Sequence, residues 1–124
     1  MTTDTRDTPR SLIASDRVEG TSVRGEDGED LGTIERLMID KATGRVAYAV
    51  LSFGGILGIK EGYRALPWDA LRYDPEADAY RAATTEAELR GAPDLDGDGR
   101  AVPDDRNWEE TLHAYYRARP YWGI

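Results

Sequence analysis

Four aspartates in the last third of the chain have the spacing of a calcium-binding loop. Asp94, Asp96 and Asp98 place carboxylates at alternate positions and a glycine follows, as in the EF-hand loop that wraps calcium with oxygen ligands. Asp105 stands at the twelfth position of this loop, where the usual ligand is glutamate. Pro103 inside the loop departs from the motif. Two interpretations stay open: a calcium site made by these aspartates, or a solvated acidic linker.

Few residues could support catalysis. The chain has no cysteine, which excludes disulfides, thiolate zinc sites, iron–sulfur clusters and cysteine nucleophiles. The one histidine, His113, needs a nucleophile or a second acid–base group beside it to act in catalysis. Glu109 and Glu110 on the same predicted helix are equally typical of a helix surface. We therefore predict a protein that is not an enzyme, in which His113 is an exposed or half-buried helical residue.

The glycine-rich run over residues 54–62 does not have the pattern of a phosphate-binding loop. Such a loop has a fixed glycine spacing and leads into a helix, whereas this run leads into another predicted strand. Glycines at this density are typical of sharp corners in a small barrel. We therefore expect a barrel corner here rather than a nucleotide site.

Aromatic side chains are concentrated at the C-terminal end. A predicted helix over residues 107–117 places Trp108, Leu112 and Tyr115 at i, i+4 and i+7, which is an amphipathic stripe. A helix this short is not stable alone in water, so it must dock on the rest of the domain or on a partner. We predict that partner contact uses this stripe and three further aromatic residues, Tyr116, Tyr121 and Trp122. Packing on the chain's own domain is the alternative, and self-association would satisfy both.

The elements that must position these residues are mostly β-strands. From Leu12 to Tyr80, apolar or β-branched runs alternate with turn signals about every ten residues, which is typical of a small barrel or sandwich. The run 45–53 is apolar on both parities and is predicted to be the most buried strand. Ile34 falls on the opposite parity from Leu37 and Ile39, which predicts a bulge near Glu35. The predicted strands cover residues 31–40, 45–53, 58–66, 71–73 and 80–82.

Helical signals begin only at Thr85. Thr85 and Glu88 form a capping box, with a hydroxyl at the N-cap and a carboxylate three residues on. The turns between the earlier strands are predicted at residues 25–30, 40–44 and 74–78, with Gly28 and Gly44 available for left-handed positions.

Charge and hydropathy narrow the possible partners. The 24 acidic and 16 basic side chains give a formal net charge of -8 over 124 residues, and an acidic surface disfavours nucleic acid and anionic lipid. No apolar run is long enough to span a bilayer. The polar first ten residues lack the apolar region of a secretory signal. We expect one domain with one core, in a cytoplasmic protein with no nucleic-acid binding and no membrane insertion.

Four segments together resemble the PRC-barrel family. They are residues 40–50 (DKATGRVAYAV), in which a turn leads into a strand, and the runs 12–15, 30–34 and 65–74. The resemblance covers residues 11–92, and the C-terminal aromatic residues are similar to those of stand-alone bacterial members. The family is named for the cytoplasmic domain of the photosynthetic reaction-centre H subunit. It also includes the C-terminal domain of a ribosome-maturation factor that docks on a ribosomal protein. The resemblance implies a small six-stranded barrel used for protein contact.

These observations predict a mainly β fold, a six-stranded barrel with a short helical C-terminal tail. We expect a disordered tail over 1–10, the barrel over 11–92, an acidic loop over 93–106 and the aromatic tail over 107–124. The predicted function is a non-catalytic protein-interaction or structural module that binds a protein partner or associates with itself as a homodimer. Two alternatives remain: a calcium-responsive module that uses the loop between Asp94 and Asp105, and an accessory protein of a redox or photosynthetic complex. Apart from that calcium, no cofactor is expected.

Overall fold

Six β-strands form one sheet. The computed structural model describes residues 12–53, 62–93, 95 and 106–122. The strands, in chain order, are β1 (Ser22–Arg24), β2 (Asp30–Ile39), β3 (Val46–Phe53), β4 (Gly62–Pro67), β5 (Leu71–Asp74) and β6 (Ala79–Ala82). They lie in the order β4-β3-β2-β1-β6-β5. The pair β1 and β6 is parallel, and the other neighbours are antiparallel.

The sheet has to curl because its two edge strands follow one another in the chain. A 3-10 turn, Trp68–Ala70, connects the end of β4 directly to the start of β5. The four residue steps from Pro67 to Leu71 span about 14 Å at most. A flat sheet of six strands would separate its edges by about 24 Å, at about 4.8 Å per strand spacing. The predicted six-stranded, mainly β fold of barrel type is therefore confirmed.

In the described part of the chain, three helices accompany the sheet: α1 (Ser15–Val18), α2 (Glu86–Arg90) and α3 (Arg106–Tyr116). The pattern does not predict α1, since a single turn shows no periodicity and Ala14 before it makes no side-chain cap. The predicted start of α2 is confirmed, because the Thr85 hydroxyl accepts a hydrogen bond from the Glu88 N–H at 3.2 Å. The helix α3 begins one residue before the predicted start and ends at Tyr116.

One hydrophobic core lies inside the curled sheet. Every residue of β3 after Val46 is buried, as predicted for the strand that is apolar on both parities. The core also takes Leu89 from α2 and Leu112 from α3, both of which are fully buried. The C-terminal helix, which the sequence predicts to dock either on the domain or on a partner, packs into the same core as the strands and contacts β4.

The predicted bulge and turns are present. Ile34 pairs with Leu51 while Arg36 pairs with Val50, so one extra residue lies in β2 between them. Gly28 and Gly44 adopt positive φ angles of 83° and 78° in the first two turns. The predicted strand over 58–66 appears as β4 from Gly62 onward. Two predicted segments lie outside the described residues, the corner over 54–61 and the tail over 1–10. Of the predicted acidic loop, the structure describes only Pro93, Leu95 and Arg106.

Gly32 in β2 is the position where the sheet has least room for a side chain. Its φ is +144°, and a Cβ there would lie 2.1 Å from the backbone oxygen of Ser52 and 3.0 Å from the Cα of Phe53. Both atoms belong to the backbone of β3, which cannot move without disturbing the buried strand. Only glycine allows β2 to approach β3 this closely.

We expect Gly32→Ala to lower the free energy of unfolding by about 3 kcal/mol, combining backbone strain with overpacking. The matched control is Gly20→Ala, because Gly20 also has a positive φ (+87°) but no heavy atom within 4 Å of its added Cβ. That control should lose only about 1 kcal/mol, from the left-handed backbone alone. Urea unfolding followed by circular dichroism measures both, and equal losses would contradict the close approach to β3.

Candidate functional site

The C-terminal helix docks through the aromatic stripe that its sequence predicts. The Trp108 ring meets the Tyr48 ring of β3 edge to face, with centroids 5.5 Å apart. Leu112 and Tyr116 are 0% and 4% exposed and lie in the core. In this structure those two side chains face the chain's own sheet, so a partner could reach them only if α3 left the sheet. Trp108 and Tyr115 are half-buried at the margin of the helix.

Glu88 of α2 ties α3 to the sheet. Its backbone carbonyl accepts a hydrogen bond from the Tyr115 hydroxyl at 2.6 Å. Its carboxylate accepts from the Thr84 hydroxyl at 2.5 Å and from the Arg117 guanidinium at 3.2 Å. The sequence identifies Glu88 only as a capping residue, since its partner Arg117 lies 29 positions away. No local pattern reveals such a contact.

The end of α3 turns the chain back over the helix. Arg117 adopts a left-handed conformation with φ of +57°, a position where glycine is the usual residue. Its N–H donates to the carbonyl of Ala114, and the N–H of Ala118 donates to the carbonyl of His113. These two bonds are the pattern of a Schellman motif. The segment that follows, residues 118–122, returns along α3 and is called here the return segment.

Hydrogen bonds with three residues, Asp69, Arg45 and Glu109, hold the return segment. Asp69 of the 3-10 turn accepts from the backbone N–H of Arg119 at 2.9 Å and from its guanidinium at 3.3 Å. The guanidinium of Arg45 donates to the carbonyl of Tyr121 at 2.9 Å. The Tyr121 hydroxyl donates to the Glu109 carboxylate at 2.5 Å. The segment is thus fixed to the 3-10 turn, to the residue before β3 and to α3.

The surrounding groups set the protonation states of two residues in these contacts, Asp69 and Tyr121. The backbone N–H of Arg119, with a further contribution from its guanidinium, lowers the pKa of the Asp69 carboxyl below its usual value. Burial and the bond to Glu109 raise the pKa of Tyr121 to about 12. At neutral pH Asp69 is therefore an anionic acceptor and Tyr121 a neutral donor.

A cleft of about 350 Å³ lies between the start of β3, the 3-10 turn, α3 and the return segment. Its apolar lining comes from Val46, Ala47, Trp68 and Pro120, and its polar lining from Arg45, Asp69, His113, Arg119 and Tyr121. Aromatic rings and guanidinium groups thus surround a small apolar space.

His113 lines this cleft and is only 3% exposed, so the predicted exposed or half-buried position is wrong. The return segment covers it: the rings of Trp122 and Tyr121 lie 5.1 and 6.1 Å from the imidazole. Its Nδ1 lies 2.8 Å from the carbonyl of Glu109. A carbonyl can only accept, so Nδ1 carries a proton.

The return segment also presents an aromatic and cationic surface. The Arg106 guanidinium stacks over the Trp122 ring at 4.1 Å and lies 5.9 Å from the centre of the Tyr121 ring. Both rings are half-buried, while Arg106 and Arg119 are exposed. These four residues are called here the C-terminal face.

The predicted calcium ligands Asp94, Asp96, Asp98 and Asp105 lie outside the described residues, so that site stays a prediction. Within the residues that the structure does describe, no group of three or more histidine, aspartate or glutamate side chains could hold a metal ion. No helix in the described part of the chain is long and apolar enough to cross a membrane.

Two adjacent tyrosines provide a test of the docking of α3. The Tyr115 hydroxyl is bonded to Glu88, whereas the Tyr116 hydroxyl is buried without a hydrogen-bond partner in the described part of the chain. We expect Tyr115→Phe to lower the free energy of unfolding by about 1 kcal/mol. Tyr116→Phe should leave it unchanged or raise it by up to about 2 kcal/mol, because a buried unpaired hydroxyl is removed. Urea unfolding of both variants checks the signs, and equal losses would contradict this arrangement.

Comparison with known proteins agrees with this architecture. The family model for the PRC-barrel domain matches residues 11–89, and no curated protein matches the chain. One similar solved structure is that of a protein named as a 16S ribosomal RNA processing protein, RimM, from Pseudomonas aeruginosa. It shares 21% identity and a TM-score of 0.42, with 64% of this chain and 49% of that chain covered. The chain thus spans about half the length of that protein. Since the family model matches more than half of the residues of this chain, the chain belongs to the PRC-barrel domain family.

Proposed function

We propose that the protein is a non-catalytic interaction module that associates with a second copy of itself through the C-terminal face. The observation that supports this most directly is the composition of that face. Trp122 and Tyr121 lie half-buried beside Arg106 and Arg119, and these are the residue types that dominate binding energy in protein interfaces.

The rigidity of the C-terminal face favours a role in contact. Asp69, Arg45 and Glu109 each bind one part of the return segment. A surface that is already held in place loses less conformational entropy when a partner binds.

A catalytic role has less support. Among the described residues, the imidazole of His113 hydrogen-bonds to a backbone carbonyl, and it meets Tyr121 and Trp122 through their rings. The chain has no cysteine. We therefore assign contact, rather than chemistry, to the residues around the cleft.

We expect sedimentation velocity to show a concentration-dependent dimer of the full chain. Trp122→Ala should weaken that dimer at least tenfold, as expected for an aromatic residue at the centre of an interface. The matched control is Ile39→Ala, because Ile39 is 53% exposed at the end of β2 and is not part of the C-terminal face. A thermal unfolding curve of each variant confirms that the fold is intact.

A monomer at every concentration would overturn self-association. An equal effect of the two substitutions would show that exposed apolar area in general, rather than the C-terminal face, drives the association.

A further inference from the structure

The cleft beside the return segment has the size and lining of a small ligand site. Its volume of about 350 Å³ lies at the lower end of the range for ligand pockets, about 300–1,000 Å³. Trp68 and Pro120 give it apolar walls, and a few polar groups converge on it. Such a pocket holds one large side chain or a ligand of similar size.

The lining of the cleft holds two guanidinium groups, of Arg45 and Arg119, and one carboxylate, of Asp69, although the chain as a whole carries a net charge of -8. Asp69 is occupied by the N–H and the guanidinium of Arg119. The guanidinium of Arg45 donates one bond, to the carbonyl of Tyr121, and has no carboxylate partner in the described part of the chain. An arginine has five N–H donors. Among the described residues, Arg45 therefore keeps its positive charge and further N–H donors at the cleft.

His113 adds a hydrogen-bonding group to the lining of the cleft. It is 97% buried, and its Nδ1 is committed to the carbonyl of Glu109 at 2.8 Å. In the neutral ring Nε2 is then an acceptor, and the described residues supply no donor to it. A ligand with an N–H or O–H group finds an acceptor in His113, which lines the cleft.

We propose that the cleft binds a carboxylate that sits next to a hydrogen-bond donor on an apolar body. The carboxylate pairs with Arg45, the donor binds Nε2 of His113, and the apolar body lies against Trp68 and Pro120. The last residue of a polypeptide has this chemistry, with its free carboxylate, its amide N–H and an apolar side chain. A free N-acyl amino acid has the same chemistry. This inference goes beyond self-association and does not depend on it.

The test uses the full chain and a fluorescein-labelled octapeptide that ends in leucine with a free carboxylate. Fluorescence anisotropy should show binding at least tenfold tighter than for the same peptide with a C-terminal amide, which lacks the charge. A peptide with an N-methylated last residue lacks the donor and should also bind at least tenfold more weakly. Displacement by N-acetyl-leucine tells whether the free acid is sufficient or a longer peptide is needed.

A matched pair of variants locates the site. Arg45→Gln should weaken binding of the acid peptide at least tenfold. Arg81→Gln makes the same change of charge at an exposed arginine that pairs with Asp74 on the β5–β6 hairpin, and it should leave binding unchanged. Thermal unfolding of both variants confirms that they fold.

The single histidine supplies a spectroscopic readout. The ¹⁵N signals of His113 should show the Nδ1-protonated tautomer in the free protein, and the Nε2 signal should shift when the acid peptide is added. Binding of the acid and amide peptides within twofold of each other would overturn the inference, as would an Nε2 signal that does not respond. A protein that binds the peptide but stays monomeric would refute self-association and leave this inference intact.

Discussion

The three-residue link between β4 and β5 is the constraint on which the rest of the structure depends. It joins the two edges of the sheet, and so short a connection requires the sheet to curl. The curl encloses the core that β3 occupies along almost its whole length. The same link carries Asp69, which binds the backbone of Arg119. The element that closes the sheet is therefore also an anchor of the C-terminal segment.

The anchors of the return segment come from parts of the chain that are distant in sequence. Asp69 and Arg119 are 50 positions apart, and Arg45 and Tyr121 are 76 apart. Each contact depends on the curled sheet, because this sheet brings the 3-10 turn and the start of β3 next to α3. The cleft is a consequence of this docking, since its walls come from all of these elements.

Local patterns were sufficient to predict the strands β2 to β6, since alternation of apolar residues and glycine at the turns are properties of a few neighbouring residues. They did not predict β1 (Ser22–Arg24), which has only three residues. The bulge in β2 could be predicted in the same way, from the parity of Ile34 against that of Leu37. The environment of His113 could not be predicted from local patterns, because the side chains that cover it belong to a segment that reverses direction at Arg117. Arg117 adopts a left-handed conformation, and because it is not a glycine, the sequence gives no signal of this reversal. The contacts of Glu88 with Tyr115 and Arg117 could not be predicted either, since both residues lie far along the chain from Glu88.

The protonation states of the anchors explain how the C-terminal face keeps its shape. The contacts with Arg119 lower the pKa of Asp69, so this carboxylate stabilises the folded state above its unfolded pKa. That contribution is lost only as the pH falls through the lowered folded value. Tyr121, whose pKa is raised to about 12, keeps the proton that it donates to Glu109 throughout the neutral range. Neither anchor titrates near neutral pH, so the return segment stays docked there. In the proposed ligand site, Nε2 of His113 and the guanidinium of Arg45 are the groups that a ligand would engage.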